Sequence, residues 1–438
     1  MRRYLENGKR LPATVEAQAS MLAQAQTDPV SAFIYDLQAL REHVQWMKSF
    51  LPEGVELYYA IKANSAPEIL ETLAPWVDGF EISSGGEIQR VLDCAFRDSS
   101  HHASASASRR NFIFSGPGKL DSDLHHALTH QVEMIHLESL DEIRRLNTIA
   151  AQLQRRQPVL IRINPVLPEH LATKLSMAGA PTPFGIDEQQ LAQAVALVEQ
   201  SGNLVLSGFH IHAMSHQLQV ERHQQLLDWY LEKWPSWKAL AAHPQTVRYL
   251  NVGGGMGVNY LGAEQFDWPG LCRHLGQRLK RDPQPPIVRF EPGRFVTAFC
   301  GYYLMQVLDM KQNHGEEFVV CRGGTHQFRL PVAQSHDHPV IHVPQNRIKE
   351  GAAHNGTKRH LTLVGQLCTP KDVLARNVVL SDPQVGDLLV LPLAGAYGYN
   401  ISHADFLCHP RPLQVFIDAG PSNLTMEWSN CHAENAGH

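Results

Sequence analysis

Lys62 has the setting in this chain that most strongly suggests chemistry. It directly follows an apolar run at residues 57–61, inside the segment Tyr-Ala-Ile-Lys-Ala-Asn at 59–64. An amine at the end of a buried strand is poorly hydrated. Desolvation lowers the pKa of an ammonium group and frees a nucleophile that can form a Schiff base. A single lysine at a strand end is more often simply solvated, so this interpretation depends on the residues that accompany Lys62.

Further reactive or ligand-binding groups follow later apolar runs. Three glycines at 253–255 could surround a phosphate with backbone N–H groups, and a simple tight turn would explain them equally well. Glu291 and Arg294 stand together after another run, where a surface ion pair is the usual explanation. His210 and His212 alternate and so face one side of a strand, but no third ligand stands at metal-site spacing. We therefore predict no metal site.

Two more residues stand in short glycine-containing segments. Cys368 lies in Gly-Gln-Leu-Cys-Thr-Pro-Lys-Asp at 365–372, and Tyr397 in Gly-Ala-Tyr-Gly at 395–398. Alone, each is explained by packing or by a turn. Together with Lys62, the set offers an imine-forming amine, a phosphate cradle, a carboxylate and a flat side chain. Pyridoxal 5′-phosphate (PLP) requires these groups, so the sequence predicts PLP as cofactor.

The elements that must position these residues follow a regular order. Helical patterns separate eight strand-like apolar runs, at 56–61, 79–84, 111–115, 132–137, 158–164, 206–213, 247–252 and 286–291. Eight β-then-α units predict an α/β fold with a closed parallel (TIM-type) barrel, whose active site lies where the strands end. An open doubly wound sheet is the alternative, but residues 253–257 lack its G-x-G-x-x-G fingerprint.

Local signals predict where two helices begin. Asp36 reads as an N-cap ahead of a helix, and residues 65–68 (Ser-Ala-Pro-Glu) read as a capping box after the Lys62 strand. From about residue 296 the strand-like runs come without long helical patterns, which predicts an antiparallel β-domain. We predict a PLP-binding barrel at 32–295, a β-domain at 296–420 with a contribution from residues 1–31, a flexible loop at 97–110 and a disordered tail at 421–438.

Composition excludes several classes of partner. A net charge of -5 gives no electrostatic reason to expect nucleic acid or an anionic membrane. No apolar run approaches the roughly 20 residues that span a bilayer, and the N-terminus lacks the apolar core of a signal peptide. Seven scattered cysteines without a Cys-x-x-Cys pair are typical of reduced thiols. We expect a cytoplasmic protein with neither nucleic acid nor membrane as partner.

In these motifs the chain resembles the alanine racemase-type (fold type III) PLP enzymes, within the diaminopimelate and ornithine decarboxylase group, over residues 30–418. The segment 59–64 is similar to the family's PLP-lysine motif, which implies that Lys62 forms the Schiff base with the cofactor. The resemblance implies further cofactor contacts: Glu87 nearby, His212 stacked on the ring, Glu291 facing the pyridine nitrogen, and Ser215, Gly253, Gly254, Gly255, Arg294 and Tyr397 around the phosphate.

Cys368 resembles the family's cysteine that protonates the α-carbon after carbon dioxide leaves. In the family this cysteine comes from the partner subunit, which implies a homodimer with shared active sites. Its presence favours a decarboxylase over a racemase, because racemases of this fold generally use a tyrosine as the second acid. It also disfavours an inactive PLP-binding regulator, in which Lys62 and Cys368 would be the expected losses.

Departures from the family pattern bear on the substrate. Diaminopimelate decarboxylases usually place Glu-Ser after the cysteine, and that glutamate holds a distal amino group, whereas Thr369 and Pro370 stand here. Arg329 matches an arginine that binds a distal carboxylate, and we predict that Arg294, Thr369 and Asp372 also contact substrate.

Three segments bear on the substrate together: Thr-Pro-Phe-Gly at 182–185, His-Ala-Met-Ser at 212–215 and Cys-Thr-Pro-Lys at 368–371. In combination they resemble decarboxylases of carboxylate-siderophore pathways, which act on an amino acid joined to citrate or a similar acid. An anionic amino-acid substrate is therefore expected. The alternative is a free diamino acid such as diaminopimelate, lysine or ornithine.

Overall fold

The computed structural model describes residues 10–97, 111–171, 179, 181–345 and 358–418. The tail predicted at 421–438, and all but the first residue of the loop predicted at 97–110, lie outside the described residues. The chain divides into two compact units. One contains Leu40–Phe299 and Gly395–Asn400, and the other contains the residues up to Ala39, Cys300–Ala394 and the residues from Ile401 on.

The first unit is a closed barrel of eight parallel strands. Each predicted run forms one of them, and the pairing of the first strand with the eighth closes the ring. The strands are, in order, Val55–Ala60, Gly79–Ile82, Phe112–Phe114, Met134–Leu137, Gln157–Asn164, Leu204–His210, Tyr249–Asn251 and Ile287–Phe290. A two-residue strand, Ile186–Asp187, pairs with the end of the fifth. The strands are almost continuously buried because helices cover the outer face and packed side chains fill the interior.

Helices alternate with these strands. They are Leu37–Lys48, Pro67–Leu73, Gly85–Arg97, Asp121–Thr129, Leu140–Gln152, Leu191–Gln200, Val220–Lys238 and Trp268–Leu279, with a short turn at Arg294–Thr297. Asp36 Oδ1 accepts from the Ala39 N–H at 2.9 Å, as an N-cap does. The capping box predicted at 65–68 is wrong. Pro67 is the first helical residue after Ala66, no side chain caps the helix, and Asn64 Oδ1 accepts the Ala66 N–H instead.

The second unit is built on an eight-stranded sheet. Its strands are Ser31–Asp36, Gly301–Asn313, Glu316–Cys321, Ile341–Val343, Lys358–Val364, Val373–Ser381, Leu388–Pro392 and Leu413–Ile417. Most pairings are antiparallel, as predicted, but two are parallel, so the sheet is mixed. The helix Ala13–Ala25 packs Val15, Ala19 and Leu22 against the sheet, and a short helix spans Leu330–Ala333.

Within the described ranges, no helix has both the length and the apolar composition needed to cross a bilayer.

Candidate active site

Lys62 lies on a single 3₁₀ turn, Ile61–Ala63, directly after the first barrel strand. Its Nζ is 3.1 Å from Glu81 Oε2, and Glu81 is fully buried in the second strand. About half of the Lys62 side chain (49%) remains accessible, so a ligand can reach it. Burial lowers the pKa of Lys62, but the charges of Glu81, Tyr397 and Glu291 more than offset it and raise this pKa. The predicted lowering by desolvation is therefore wrong, because Glu81 was not recognised as a partner.

The segment Gly395–Asn400 fixes the backbone around Lys62. The Tyr397 N–H donates to the Ala63 carbonyl at 2.7 Å, and Asn400 Nδ2 donates to the Lys62 carbonyl at 2.7 Å. In return, Asn64 Nδ2 donates to the Gly395 carbonyl at 2.9 Å. The backbone of Tyr397 has φ +51°, a left-handed conformation that residues other than glycine seldom adopt. These bonds bring Tyr397 and Lys62, which are far apart in sequence, to one end of the barrel.

Arg294 is held over this end by two aromatic residues. Its guanidinium carbon lies 4.5 Å from the Tyr397 ring centroid, and its Nη1 donates to Tyr260 Oη at 2.8 Å. The planar contacts fix the direction of the guanidinium, as is required of a group that binds phosphate or carboxylate. Tyr260 was not singled out in the sequence.

The glycine loop after the seventh strand has no room for side chains. Gly253 and Gly255 have φ of +68° and +92°. A Cβ on Gly254 would lie 2.4 Å from the Glu291 carbonyl oxygen. The Gly254 N–H donates to His212 Nδ1 at 3.1 Å. The loop therefore holds the glycine backbone directly against His212, and its predicted contact with the cofactor phosphate stays a prediction.

Asn251, the last residue of the seventh strand, joins this loop to Glu291. Its Nδ2 donates to Glu291 Oε1 at 2.6 Å, while its Oδ1 accepts from the Gly253 N–H at 2.9 Å. Burial and the charge of Glu81 raise the pKa of Glu291 to about 8, against the opposing effects of Lys62 and Asn251. Such a carboxylate is stabilised in its ionised form when a cation faces it, and a protonated pyridine nitrogen is one.

His212 is held as a flat, uncharged ring. Burial and the nearby charges of Arg162 and Lys62 keep its pKa well below the usual range. Since Nδ1 accepts the Gly254 N–H, the ring proton belongs on Nε2. His210 does not share this position. It ends the sixth strand, and its ring centroid lies 4.5 Å from that of His136. One ring nitrogen of each histidine and one carboxylate oxygen of Glu291 lie within 4.8 Å of one another. Sequence spacing did not show this trio, because its members come from the fourth, sixth and eighth strands.

Glu87 and Ser215 follow the second and sixth strands, Glu87 at the start of a helix and Ser215 on a loop. Glu87 Oε2 accepts the Ser83 N–H at 2.7 Å in the first turn of the helix Gly85–Arg97. Burial raises the pKa of Glu87 to about 7, with Glu81 acting in the same direction and Ser83 and Lys62 against it. Ser215 is half-buried.

The raised pKa of Glu87 predicts a pH-dependent destabilisation of the cofactor-free protein. Between the ordinary pKa of 4.5 and about 7, the folded state binds a proton that the unfolded state has lost, so stability falls as pH rises through this window. Glu87→Gln should therefore match the wild type near the lower value and exceed it above pH 7, by roughly 1–2 kcal/mol. Urea unfolding of the two proteins across this range measures the difference, and an equal gain at both ends would contradict the assignment.

The residues predicted at the substrate lie mainly in the second unit. Cys368 is exposed and Thr369 half-buried, in the loop between the strands Lys358–Val364 and Val373–Ser381. Asp372 is buried, and its carboxylate accepts from the backbone and hydroxyl of Thr325, each at 2.7 Å, and from the Leu367 N–H at 2.8 Å. It therefore anchors the Cys368 loop. Arg329 is exposed, and its backbone N–H donates to Ser402 Oγ at 3.0 Å. The substrate roles of these residues stay predictions.

We predict that a side chain added at Gly254 weakens cofactor binding. Gly254→Ala would force its methyl group into the Glu291 carbonyl, so the loop would have to shift from its present position. We expect PLP affinity to fall at least about tenfold, since displaced backbone donors each cost on the order of 1–3 kcal/mol. Gly202→Ala is the matched control, because no atom lies within 4 Å of its added Cβ. Fluorescence titration of both apoproteins with PLP tests this, and equal affinities would contradict the cradle.

The barrel residues fit PLP in several respects. An accessible amine, a glycine loop packed too closely for any Cβ, a neutral imidazole and a buried carboxylate meet at one end of the barrel. A TIM-type barrel with these groups at its strand ends, followed by a β-domain, defines the class of fold type III PLP enzymes.

The comparison with known families agrees. Residues 37–298 match the family described as pyridoxal-dependent decarboxylase, pyridoxal binding domain. The chain belongs to this family of PLP-dependent decarboxylases.

Two sequence relatives and one solved structure show which decarboxylases this chain is similar to. A Staphylococcus aureus protein named 2-[(L-alanin-3-ylcarbamoyl)methyl]-2-hydroxybutanedioate decarboxylase is 39% identical over 90% of this chain and 96% of its own length. A Vibrio cholerae diaminopimelate decarboxylase is 30% identical over 90% of this chain and 89% of its own. Among solved structures, a point mutant of Helicobacter pylori diaminopimelate decarboxylase complexed with L-lysine has a TM-score of 0.77 and 25% identity, covering 91% of this chain and 93% of that one.

Proposed function

We propose that this enzyme removes the α-carboxylate of an amino acid whose side chain is joined through an amide to citrate or a similar hydroxy acid. The observation that carries this proposal is the likeness to the Staphylococcus aureus enzyme along nearly the whole chain. That enzyme's name describes an L-alanin-3-yl unit, which retains an α-amino acid, linked through a carbamoyl group to a hydroxybutanedioate. Such a substrate is anionic at its distal end.

The residues of the loop at Cys368 favour a substrate whose distal end is anionic. Thr369 replaces the glutamate that diaminopimelate decarboxylases use for a distal amino group. A neutral threonine does not repel carboxylates, whereas a glutamate would. Two cations of the same unit, Arg329 and Lys371, are exposed. This charge pattern favours a carboxylate-rich substrate over a free diamino acid.

Each proposed role follows from a group's position and charge. When bound, PLP supplies an aromatic ring that accepts the electrons of the broken bond. Lys62 provides the amine that attaches the cofactor, and Glu81 orients that amine. Glu291 would face the ring nitrogen as an anion, and Arg294 would bind the phosphate or the substrate carboxylate. Cys368 delivers the proton to the α-carbon.

The cofactor's remaining contacts come from the loops around the ring. We assign the face of the ring to His212. The phosphate is assigned to the glycines 253–255, Ser215 and Tyr397, with Glu87 close by.

A free diamino acid remains the second candidate, because diaminopimelate decarboxylases are among both the sequence relatives and the structural neighbours. Mass spectrometry of the PLP-loaded enzyme with a mixed panel separates the two. The panel holds diaminopimelate, lysine, ornithine and citryl-diaminopropionate. We expect loss of carbon dioxide from the citryl conjugate alone. Loss from a free diamino acid without loss from the conjugate would overturn the proposal.

Position 369 should control this preference. In Thr369→Glu, the new carboxylate would repel the distal acid and could hold a distal ammonium. We expect kcat/KM for the citryl conjugate to fall roughly 10- to 100-fold and diaminopimelate turnover to become measurable. Thr369→Gln is the control for size without charge. Equal effects of the two substitutions would argue against an electrostatic role for this position.

We further infer that the enzyme is a cytoplasmic homodimer with shared active sites. The dimer is supported by the family resemblance at Cys368 and by the exposure of that residue within a single chain. The location is supported by six cysteines among the described residues that are all free thiols, as in a reducing compartment.

A further inference from the structure

Two buried histidines lie beside the Glu291 carboxylate, inside the barrel. His136 Nδ1 is 3.9 Å from Glu291 Oε1, and His210 Nε2 is 3.6 Å from Oε2. The exposed fractions of His136, His210 and Glu291 are 0%, 2% and 7%. Neither histidine has a role in the reaction as outlined above.

The two imidazoles are unpaired in the part of the chain that the structure describes. All four ring nitrogens are buried and have no hydrogen-bond partner there. Buried polar atoms are nearly always paired, with protein or with an ordered water. The separations from Glu291 exceed a direct hydrogen bond, but one water with several polar neighbours can join such groups.

The charges around the pair determine what it can donate. Burial, Lys119, Arg289 and Arg162 keep the pKa of His136 well below its usual range, and burial, His136 and Arg162 do the same for the pKa of His210. Each ring is therefore neutral, with one N–H donor and one acceptor. Asn251 already donates to Oε1, which leaves acceptor capacity on the Glu291 carboxylate for further donors.

We propose that His136 and His210 are positioning residues that donate hydrogen bonds to Glu291 through a shared buried water and hold it as an ionised carboxylate facing the cofactor's ring nitrogen. This inference rests on the role proposed above for Glu291. Removing the donors would leave a buried anion with fewer hydrogen bonds, and the carboxylate would then take up a proton more readily. The ring nitrogen would lose its counter-charge and with it part of its capacity to accept electrons.

A metal ion is the competing occupant of the same three side chains, since two histidines and a glutamate form a known ligand set. The setting disfavours it. Lys62 and Arg162 act on both histidines as positive charges, and Lys119 and Arg289 act on His136, so a bound cation would be repelled. Elemental analysis of the purified protein therefore belongs in the test.

The experiment loads the enzyme with PLP labelled with ¹⁵N in the ring and measures the ¹⁵N chemical shift. Wild type should show a protonated nitrogen. His136→Leu and His210→Leu should shift it toward the neutral form and lower kcat roughly 10- to 100-fold, with KM changed less than about threefold. His136→Asn and His210→Gln, which keep a donor, should restore much of the shift. His338→Leu, a buried histidine of the other unit, controls for the general cost of the substitution.

The possible results separate this inference from the function on which it rests. A protonated nitrogen in wild type that stays protonated in both leucine variants overturns the positioning role alone. A neutral nitrogen in wild type overturns the role of Glu291 itself, whatever the substrate. One equivalent of metal that is lost in His136→Leu overturns the inference in favour of a metal site. If a leucine variant does not fold, the double variant His136→Asn, His210→Gln decides. A wild-type ¹⁵N shift and kcat in that variant support the proposal, and a neutral ring nitrogen contradicts it.

Discussion

Replacing Lys62 with alanine is expected to abolish the imine absorption of the bound cofactor and to lower turnover by at least ~10⁴-fold, because covalent attachment and orientation of the cofactor are lost together. The structure adds a second consequence. Glu81, which is fully buried, would lose the ammonium group 3.1 Å away. A buried carboxylate without a counter-charge is costly. Lys62→Ala should therefore also lower the free energy of unfolding of the cofactor-free protein.

Lys62→Arg separates these two effects. Arginine keeps a positive charge beside Glu81 but cannot form an imine, so this variant should retain wild-type stability more closely and still lack the absorption band. Absorption spectra, turnover and urea unfolding of the three proteins are the measurements. An active Lys62→Arg enzyme with an intact imine band would show that another amine binds the cofactor.

The second large effect is expected at Cys368. Cys368→Ala should keep the imine band, because the barrel holds the cofactor without it, and turnover should fall by about 10²- to 10⁴-fold, the usual range for loss of a general acid. Part of the remaining flux should appear as side products, since the carbanion would be protonated elsewhere. Product analysis by mass spectrometry alongside kcat measures both consequences. Cys408→Ala, at another exposed cysteine of the same unit, is the matched control.

A mixed-subunit experiment tests whether Cys368 acts across a dimer. Lys62→Ala and Cys368→Ala subunits should each retain no more than about a hundredth of wild-type activity alone. If active sites are shared, a mixed dimer holds one site with both residues intact, and random exchange of equal amounts should restore about a quarter of wild-type activity. No recovery on mixing, with exchange verified by mass, would place Cys368 in its own subunit's site or outside the reaction.

The sequence allowed all eight strands of the barrel to be predicted, because each strand is a local apolar run with a helical pattern on either side. The strands of the second unit were harder to predict from the sequence. Val373–Ser381 alternates buried and exposed residues irregularly around Asn377, which has φ +54°, and Ile341–Val343 has only three residues. Neither leaves a clear apolar run. The two parallel pairings of the mixed sheet depend on contacts distant in sequence, which local patterns do not report.

Within the candidate site, motifs identified single residues but not their partners. Glu81 and Asn251 were missed although each lies at or near the end of a strand next to a predicted site residue, a position that could have identified both. His136 carried no such signal, since only barrel closure brings the fourth strand near the sixth and eighth. The predicted direction of the pKa change at Lys62 was also wrong, because it left out a partner on another strand. Desolvation follows from a local apolar run, whereas the opposing carboxylate comes from the neighbouring strand.

The central claim is that the α-carboxylate of a conjugated amino acid is the group that leaves. The most direct test uses citryl-diaminopropionate labelled with ¹³C either at the α-carboxylate or in the citrate carboxylates, with mass analysis of the released gas. Labelled carbon dioxide only from the α-labelled conjugate, with the citryl group recovered intact on the amine product, is the predicted result. Label released from the citrate carboxylates, or no release from either conjugate by a fully PLP-loaded enzyme, would contradict the account.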